Sequence, residues 1–231
     1  MLADIYQYHL NAIVWADILS YTLVSMPCIL WTAKKRYILN VWDSEGVRYE
    51  EPKLKIMGIE AIKSSTPAPC RKMIKDGLKL MMSGTEEDVI NFIDKCREDF
   101  KKMPPEEIAF PRTASDVRKY HSSSSIYAPK TPIHIRGALL FNYYVREKKL
   151  TNKYSLINNG EKVKYIFLKK PNTIQENVIS FIQDFPKELA LDKYIDYELQ
   201  FEKSFLDPLK SILDTIGWNV EKTVNLELFF T

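Results

Sequence analysis

The first readable pattern in the chain has a period of two. From Lys35 to Asp43 apolar and polar residues alternate around Ile38, Leu39 and Val41, which predicts a strand. Asp43-Ser44-Glu45-Gly46 has turn composition, and Val47 to Glu50 reads as the returning strand. Pro52 is expected to break the pairing before alternation resumes from Lys53 to Met57. The period then becomes helical. Ser64, Ser65 and Thr66 precede Pro67, so Thr66 is expected as N-cap and Pro67 as the first helical residue. Met73, Ile74, Leu78 and Met81 form an apolar stripe that runs to Gly84. Thr85 with Glu86, Glu87 and Asp88 opens a second helix with acids at its positive end. Its inner face is Val89, Phe92, Ile93, Cys96 and Phe100, and Pro104-Pro105 ends it.

Pro111, Ser122 to Ser125 and Pro129 mark residues 111–130 as a mobile loop. Thr131-Pro132 starts a third helix with Leu139, Leu140, Tyr143 and Tyr144 facing inward. Glu161 to Leu168 reads as a strand and Val178 to Gln183 as another. Tyr194 to Ile216 is the longest helix, with an inner stripe of Tyr197, Phe201, Phe205, Leu209, Ile212 and Ile216 and a kink at Pro208. The pattern predicts an α+β chain: a mainly helical body carried on a small sheet at its N-terminal side.

Residues 1–30 do not share this patterning. Leu10 to Trp31 carries one charge, Asp17, and Lys34, Lys35 and Arg36 follow at once. Three readings stay open: an aberrant terminus from a truncated gene or shifted frame, a soluble helix packed on the rest of the chain, or membrane association. Asn11, Asp17, Ser20, Thr22, Ser25 and Pro27 make a poor membrane span. The segment also lacks the basic start of a signal peptide.

At 231 residues and 45% hydrophobic composition, the chain can bury a substantial core as one large domain or one with a small attachment. Glycine is scarce, at 7 residues, and no phosphate-cradling glycine motif occurs. The net charge of +3 says little, but its distribution says more. All 33 cations follow residue 33, against 28 of the 30 acids, and they cluster as KKR, RK, KK and RKY. Such local excess suits phosphate tracking. Cys28, Cys70 and Cys96 are odd in number and read as buried or free thiols, not a disulfide framework. His9, His121 and His134 have no partner at metal spacing, so no metal site is expected.

The densest candidate chemistry is Lys34, Lys35, Arg36 and Tyr37. Alternation sends Lys35 and Tyr37 to one face and Lys34 and Arg36 to the other. This is either a rigid mount for nucleic-acid contacts or a charged strand edge that guards against aggregation. Asp196-x-Glu198 is the nearest approach to a carboxylate pair, but positions i and i+2 of a helix do not share a face. A solvated face is expected there. Leu226, Leu228, Phe229 and Phe230 form an apolar cluster that either plugs a pocket on another protein or folds back on this one.

WTAKKRY with its following hairpin, EPKLKIMGIEAIKSSTP, PKTPIHIRGALLFNY, FEKSFLDPLKSIL and GWNVEKTVNLELFF occur in this order. They resemble the family B DNA polymerases of the T-even type of tailed phage, over about residues 31 to 231. The resemblance implies a mainly helical thumb attached to a small antiparallel β remnant of the palm. It divides the chain into an atypical apolar segment (1–30), a palm-end hairpin region (31–62), a thumb (63–217) and a clamp-binding tail (218–231). The family's Asp-Thr-Asp turn, its earlier Asp-bearing strand and its Lys-rich nucleotide-binding helix have no counterpart in this sequence. No catalytic residue is therefore assigned, and Mg2+ is expected only in the complete polymerase.

By resemblance, Lys35 and Tyr37 would meet the minor groove of a primer–template duplex, and Lys34 and Arg36 would be further DNA-binding residues. Lys63, Ser64, Ser65, Lys119, Tyr120, Lys130, His134 and Arg136 would grip its phosphates. Ser122 to Ser125 stands where the family has a glycine-containing loop. Leu226, Leu228, Phe229 and Phe230 would bind the sliding clamp. The implied partners are duplex DNA, the clamp and, in a split enzyme, the catalytic part of the polymerase; no membrane is expected. The implied location is the cytoplasm of an infected bacterium. The alternative is a non-enzymatic DNA- or clamp-binding adaptor derived from a polymerase thumb.

Overall fold

The computed structural model describes residues 29–33, 36–44, 47–122 and 125–221. They fall into two compact units that divide between Ile59 and Glu60. Among the described residues no helix is long and apolar enough to cross a membrane.

The first unit holds an antiparallel sheet of β1 (Ile29–Ala33), β2 (Arg36–Ser44) and β3 (Val47–Met57), with β2 in the middle. The alternating run predicted from Lys35 is β2, and Ile38, Leu39 and Val41 are buried. Ser44 pairs with Val47, the register of a hairpin closed by two residues. Two expectations change here. Pro52 does not end the pairing: between the Val41–Lys53 and Asp43–Arg48 pairs, β2 advances two residues while β3 advances five. The strand thus passes Pro52 through a bulge, where its missing N–H is not needed. The end of the apolar N-terminal stretch, Ile29–Trp31, is strand and not helix.

The second unit begins with α1 (Ala68–Ser83), whose N-cap is Pro67 and not Thr66. A Thr66 cap would place Pro69 at the third helical position and so remove one of the two N–H groups its hydroxyl could accept from. Thr66 is buried instead, its N–H donating to the Lys63 carbonyl at 3.1 Å. Helix α2 (Glu86–Phe100) starts on a capping box: the Thr85 hydroxyl accepts from the Asp88 N–H, and the Asp88 carboxylate accepts from the Thr85 N–H at 2.9 Å. Pro104 and Pro105 open the short α3 (Pro105–Ile108).

Residues 111–130 are less loop-like than their composition predicts. Strand β4 (Phe110–Ala114) is followed by a 3-10 turn (Val117–Tyr120). Pro111 is tolerated because β4 is an edge strand, paired only with β5 (Glu161–Phe167) in a sheet completed by β6 (Val178–Phe181). Helix α4 (Ile133–Glu147) buries Ile135, Ala138, Leu139, Leu140, Phe141 and Val145. Tyr143, expected inside, is 44% exposed, and Tyr144 is half-buried.

The predicted long helix is several pieces. Asp192–Tyr194 is a separate 3-10 turn, and Ile195 forms an isolated bridge to Leu168. Then come α5 (Tyr197–Phe201), a π turn (Glu202–Leu206) and α6 (Asp207–Leu213). The π turn absorbs the i−4 conflict that Pro208 would create in a regular helix. Phe201 and Phe205 lie tilted against each other at 5.0 Å and pack edge-to-face against Phe100 and Phe92 respectively, joining this segment to α2. Fully buried Gln200 donates to the Ile108 carbonyl at 2.7 Å and accepts from the Phe167 N–H at 3.2 Å. Both ends of the buried amide are satisfied, which ties α5 to α3 and β5.

Candidate nucleic-acid interface

Arg36 and Tyr37 are the first residues of β2, where Tyr37 pairs with Trp31 and Met57 and Arg36 with Ala33. As neighbours on a strand they point to opposite faces, and both are half-buried. The register slips between Trp31 and Ala33, so β1 carries one extra residue opposite this pair. Lys34 and Lys35 lie outside the described residues, as do Leu226, Leu228, Phe229 and Phe230 of the tail.

In the second unit the candidate residues fall into three neighbourhoods. In the first, Lys63 is exposed and ion-paired to Glu60 at 2.7 Å, and Ser64 is exposed. The Ser65 carbonyl accepts from Arg112 Nη1 at 3.2 Å, and the same nitrogen reaches the Pro111 carbonyl at 3.3 Å. Arg112 sits on β4 opposite Val163 and acts electrostatically on both His134 and Tyr165. Burial, then Arg112, holds the His134 imidazole below its ordinary pKa, so its neutral form is favoured. Its ring centre lies 6.4 Å from that of Tyr165.

The second neighbourhood surrounds Arg136. Positions 134 and 136 are two apart on α4 and do not share a face. Arg136 Nη2 donates to Asn177 Oδ1 at 2.7 Å, and its guanidinium lies 5.8 Å from the centre of the Tyr127 ring. Tyr127 donates to Glu176 Oε1 at 2.5 Å, and Lys170 approaches the other oxygen at 3.7 Å. Arg136 Nε is buried without a hydrogen-bond partner among the described residues. The side chain is therefore held by one end and one face, and part of its donor fork stays unused.

Lys119, Tyr120 and Lys130 make up the third. Lys119 Nζ lies 5.9 Å from the Tyr120 ring centre, and the Tyr120 carbonyl accepts from the Ala128 N–H at 2.9 Å. Thr131 Oγ1 donates to the Ala128 carbonyl at 2.6 Å, which fixes the backbone beside Lys130. Lys130 is exposed, with φ of 62°.

Arg112, Tyr127 and Asn177 escaped the sequence reading. Only Arg112 left a signal, as a polar residue in the short FPRTA segment whose proline masked the strand. The carboxylates of Asp196-x-Glu198 have structural work. Asp196 caps α5 by accepting from the Leu199 N–H at 3.1 Å. Glu198 accepts from Arg97 at 2.7 Å and pairs with Lys101 at 3.0 Å; Lys101, then Arg97, holds its carboxyl below the usual range. A residue committed to a cap and one committed to two cations do not fit the metal-ion pair of a polymerase centre. Among the described residues no three His, Cys, Asp or Glu side chains cluster as metal ligands.

No protein-family model matches the chain. Two curated proteins do. The DNA-directed DNA polymerase of Escherichia phage RB69 is 36% identical over 201 residues, covering 85% of this chain and 22% of that protein. The DNA-directed DNA polymerase of Enterobacteria phage T4 is 32% identical over 204 residues, covering 87% of this chain and 22% of that protein. The chain thus spans about a fifth of the length of the relatives it matches, and over most of its own length it is homologous to phage DNA-directed DNA polymerase.

Proposed function

We propose that this chain is the palm end and thumb of a family B DNA polymerase of the T-even type, and that it holds the primer–template duplex behind the active site during phage DNA replication. The observation that carries this reading is the 36% identity to a phage DNA polymerase over 201 residues. With Lys34 and Arg36 as further DNA contacts, Lys35 and Tyr37 meet the minor groove. There a correct pair presents acceptors whatever its sequence, so donors sense pairing without reading the base. Lys63, Lys119, Lys130 and Arg136 grip phosphates, with Ser64, Ser65 and Tyr120 as neutral contacts and His134 as a neutral donor. Catalysis belongs to the rest of the polymerase, which brings the carboxylates and Mg2+, in the cytoplasm of the infected bacterium. The tail, through Leu226, Leu228, Phe229 and Phe230, tethers the assembly to a sliding clamp.

The test is fluorescence anisotropy of a labelled primer–template duplex titrated with the purified chain from low to moderate salt. Binding should fall with salt by about 0.9 log–log units per phosphate contact. A folded chain that fails to bind at low salt overturns the autonomous grip. Truncation after Glu221 should abolish clamp binding and leave duplex affinity unchanged; unchanged clamp affinity removes the tail from the reading.

A further inference from the structure

Beside the duplex contacts assigned to Lys119 and Tyr120, a cleft of about 1070 Å³ opens between the 3-10 turn Val117–Tyr120, with His121, and one face of α4. Arg118 and His121 line it from the first side, Tyr143 and Arg146 from the second. The cleft is large enough for a nucleotide. Its floor is apolar, with Val117 and Leu139 buried. Asn142 also reaches it, but its amide is tied to the Ile157 main chain, donating at 2.8 Å and accepting at 2.7 Å. That leaves the walls to do any binding. Arg118, His121 and Arg146 are exposed, and their side chains have no hydrogen bond or ion pair among the described residues. Glu147 is the acid among the lining residues.

Tyr143 is the unexpected member. It occupies a helical position where an apolar stripe predicts burial, yet it is 44% exposed, in a T-shaped contact with Tyr144 with ring centres 5.1 Å apart. In a T-shaped pair each ring keeps at least one face uncovered by the other, which leaves room for a planar ligand. An aromatic face between two unpaired guanidinium groups is the combination by which proteins hold single-stranded nucleic acid: the base stacks and the backbone is neutralised. We propose that this cleft binds a nucleotide of single-stranded DNA, with the base on Tyr143 and the flanking phosphates at Arg118 and Arg146. The inference rests on the polymerase reading only for the choice of DNA as the polymer.

The test uses the full 231-residue chain and a fluorescein-labelled oligo(dT) strand, followed by anisotropy across a salt series. The double variant Arg118→Ala/Arg146→Ala should bind about tenfold or more weakly, with a log–log salt slope reduced by about 1.4, at roughly 0.7 for each lost phosphate contact. Tyr143→Ala should weaken oligo(dT) about tenfold, and Tyr143→Phe should bind like the parent. Because all three side chains are exposed, circular dichroism melting curves should match the parent. Blunt duplex binding should be unaffected by these substitutions. If oligo(dT) binds the variants as well as the parent, or fails to bind the parent, the site is overturned. It is also overturned if thymidine monophosphate alone binds as tightly as the strand, which would make it a free-nucleotide site. If duplex binding is absent while oligo(dT) binding persists and responds to the variants, the cleft stands and the duplex-holding reading falls.

Discussion

Ser180 fills the space that a side chain at position 137 would need. A Cβ built on Gly137 would come 2.8 Å from the Ser180 backbone nitrogen and 3.0 Å from the Ile179 carbonyl carbon, with Ser180 Oγ closer still. The same hydroxyl donates to the His134 carbonyl at 2.9 Å. Helix α4 therefore lies on β6 at backbone distance, and this contact sets the height at which His134 and Arg136 are presented.

Gly137→Ala should destabilise the second unit by about 1–3 kcal/mol, the usual cost of overpacking a closed contact. Adding Ser180→Gly should recover only part, because the Ser180 main chain stays in the way. Thermal melting of the single and double variants checks this, and a neutral Gly137→Ala would contradict the close approach.

Arg136 is held by Asn177 at 2.7 Å and by the Tyr127 ring, so its loss removes a positioned charge. Arg136→Ala should weaken duplex binding and lower the log–log salt slope by about 0.9. Arg136→Lys should restore the slope but not the full affinity, since an ammonium cannot match the planar fork. Duplex anisotropy across salt measures both quantities. An unchanged slope in the alanine variant would remove Arg136 from the interface.

His134 has its folded-state pKa lowered by burial and by Arg112 on β4, with Tyr165 on β5 beside its ring. The unfolded chain, at an ordinary value of about 6.5, binds a proton where the folded chain does not. Stability from this group is therefore full above that value and declines as pH falls through it toward the lowered one. Melting temperature should drop between about pH 7 and pH 5, and His134→Gln should flatten the slope. Because the imidazole is neutral at pH 7, the same variant should leave the duplex salt slope unchanged there. Equal pH dependence in parent and variant would show that His134 does not sense its surroundings this way.

Burial pushes the Cys70 thiol up to about 11 and, with Asp99 as the next cause, the Cys96 thiol up to about 12. Thiolate is the reactive form, so both should resist a disulfide reagent at pH 8 in the folded chain. A Cys28→Ser background, which leaves these two thiols, should label only in denaturant. Rapid native labelling of Cys96 would contradict the burial of the inner face of α2.

Where interactions are local, residue order was enough. Thr85 and Asp88 are three apart, so the capping box needs no distant partner, and the alternation through Ile38 and Val41 is a property of nine consecutive residues. Reading failed where a competing contact lay elsewhere. Pro69 displaced the expected Thr66 cap by one residue, and β4 was hidden because Pro111 belongs to a strand only when that strand has a free edge. Tyr143 obeys the helical period of α4 but is left 44% exposed among the described residues.

The sequence by itself determined the α+β class, the place of the first hairpin, most of the helical stripes and the clustering of positive charge, since spacing along the chain encodes each of them. Tertiary structure alone decided which charges are already spent and which remain available. Glu198 neutralises Arg97 and Lys101 across about a hundred residues, and Asn177 fixes Arg136 from a separate strand connection. Burial silences the charge on His134, while Arg118 and Arg146 line one cleft with no partner among the described residues. A side chain's charge and reach follow from its identity, but its availability depends on what the fold brings within a few ångströms of it.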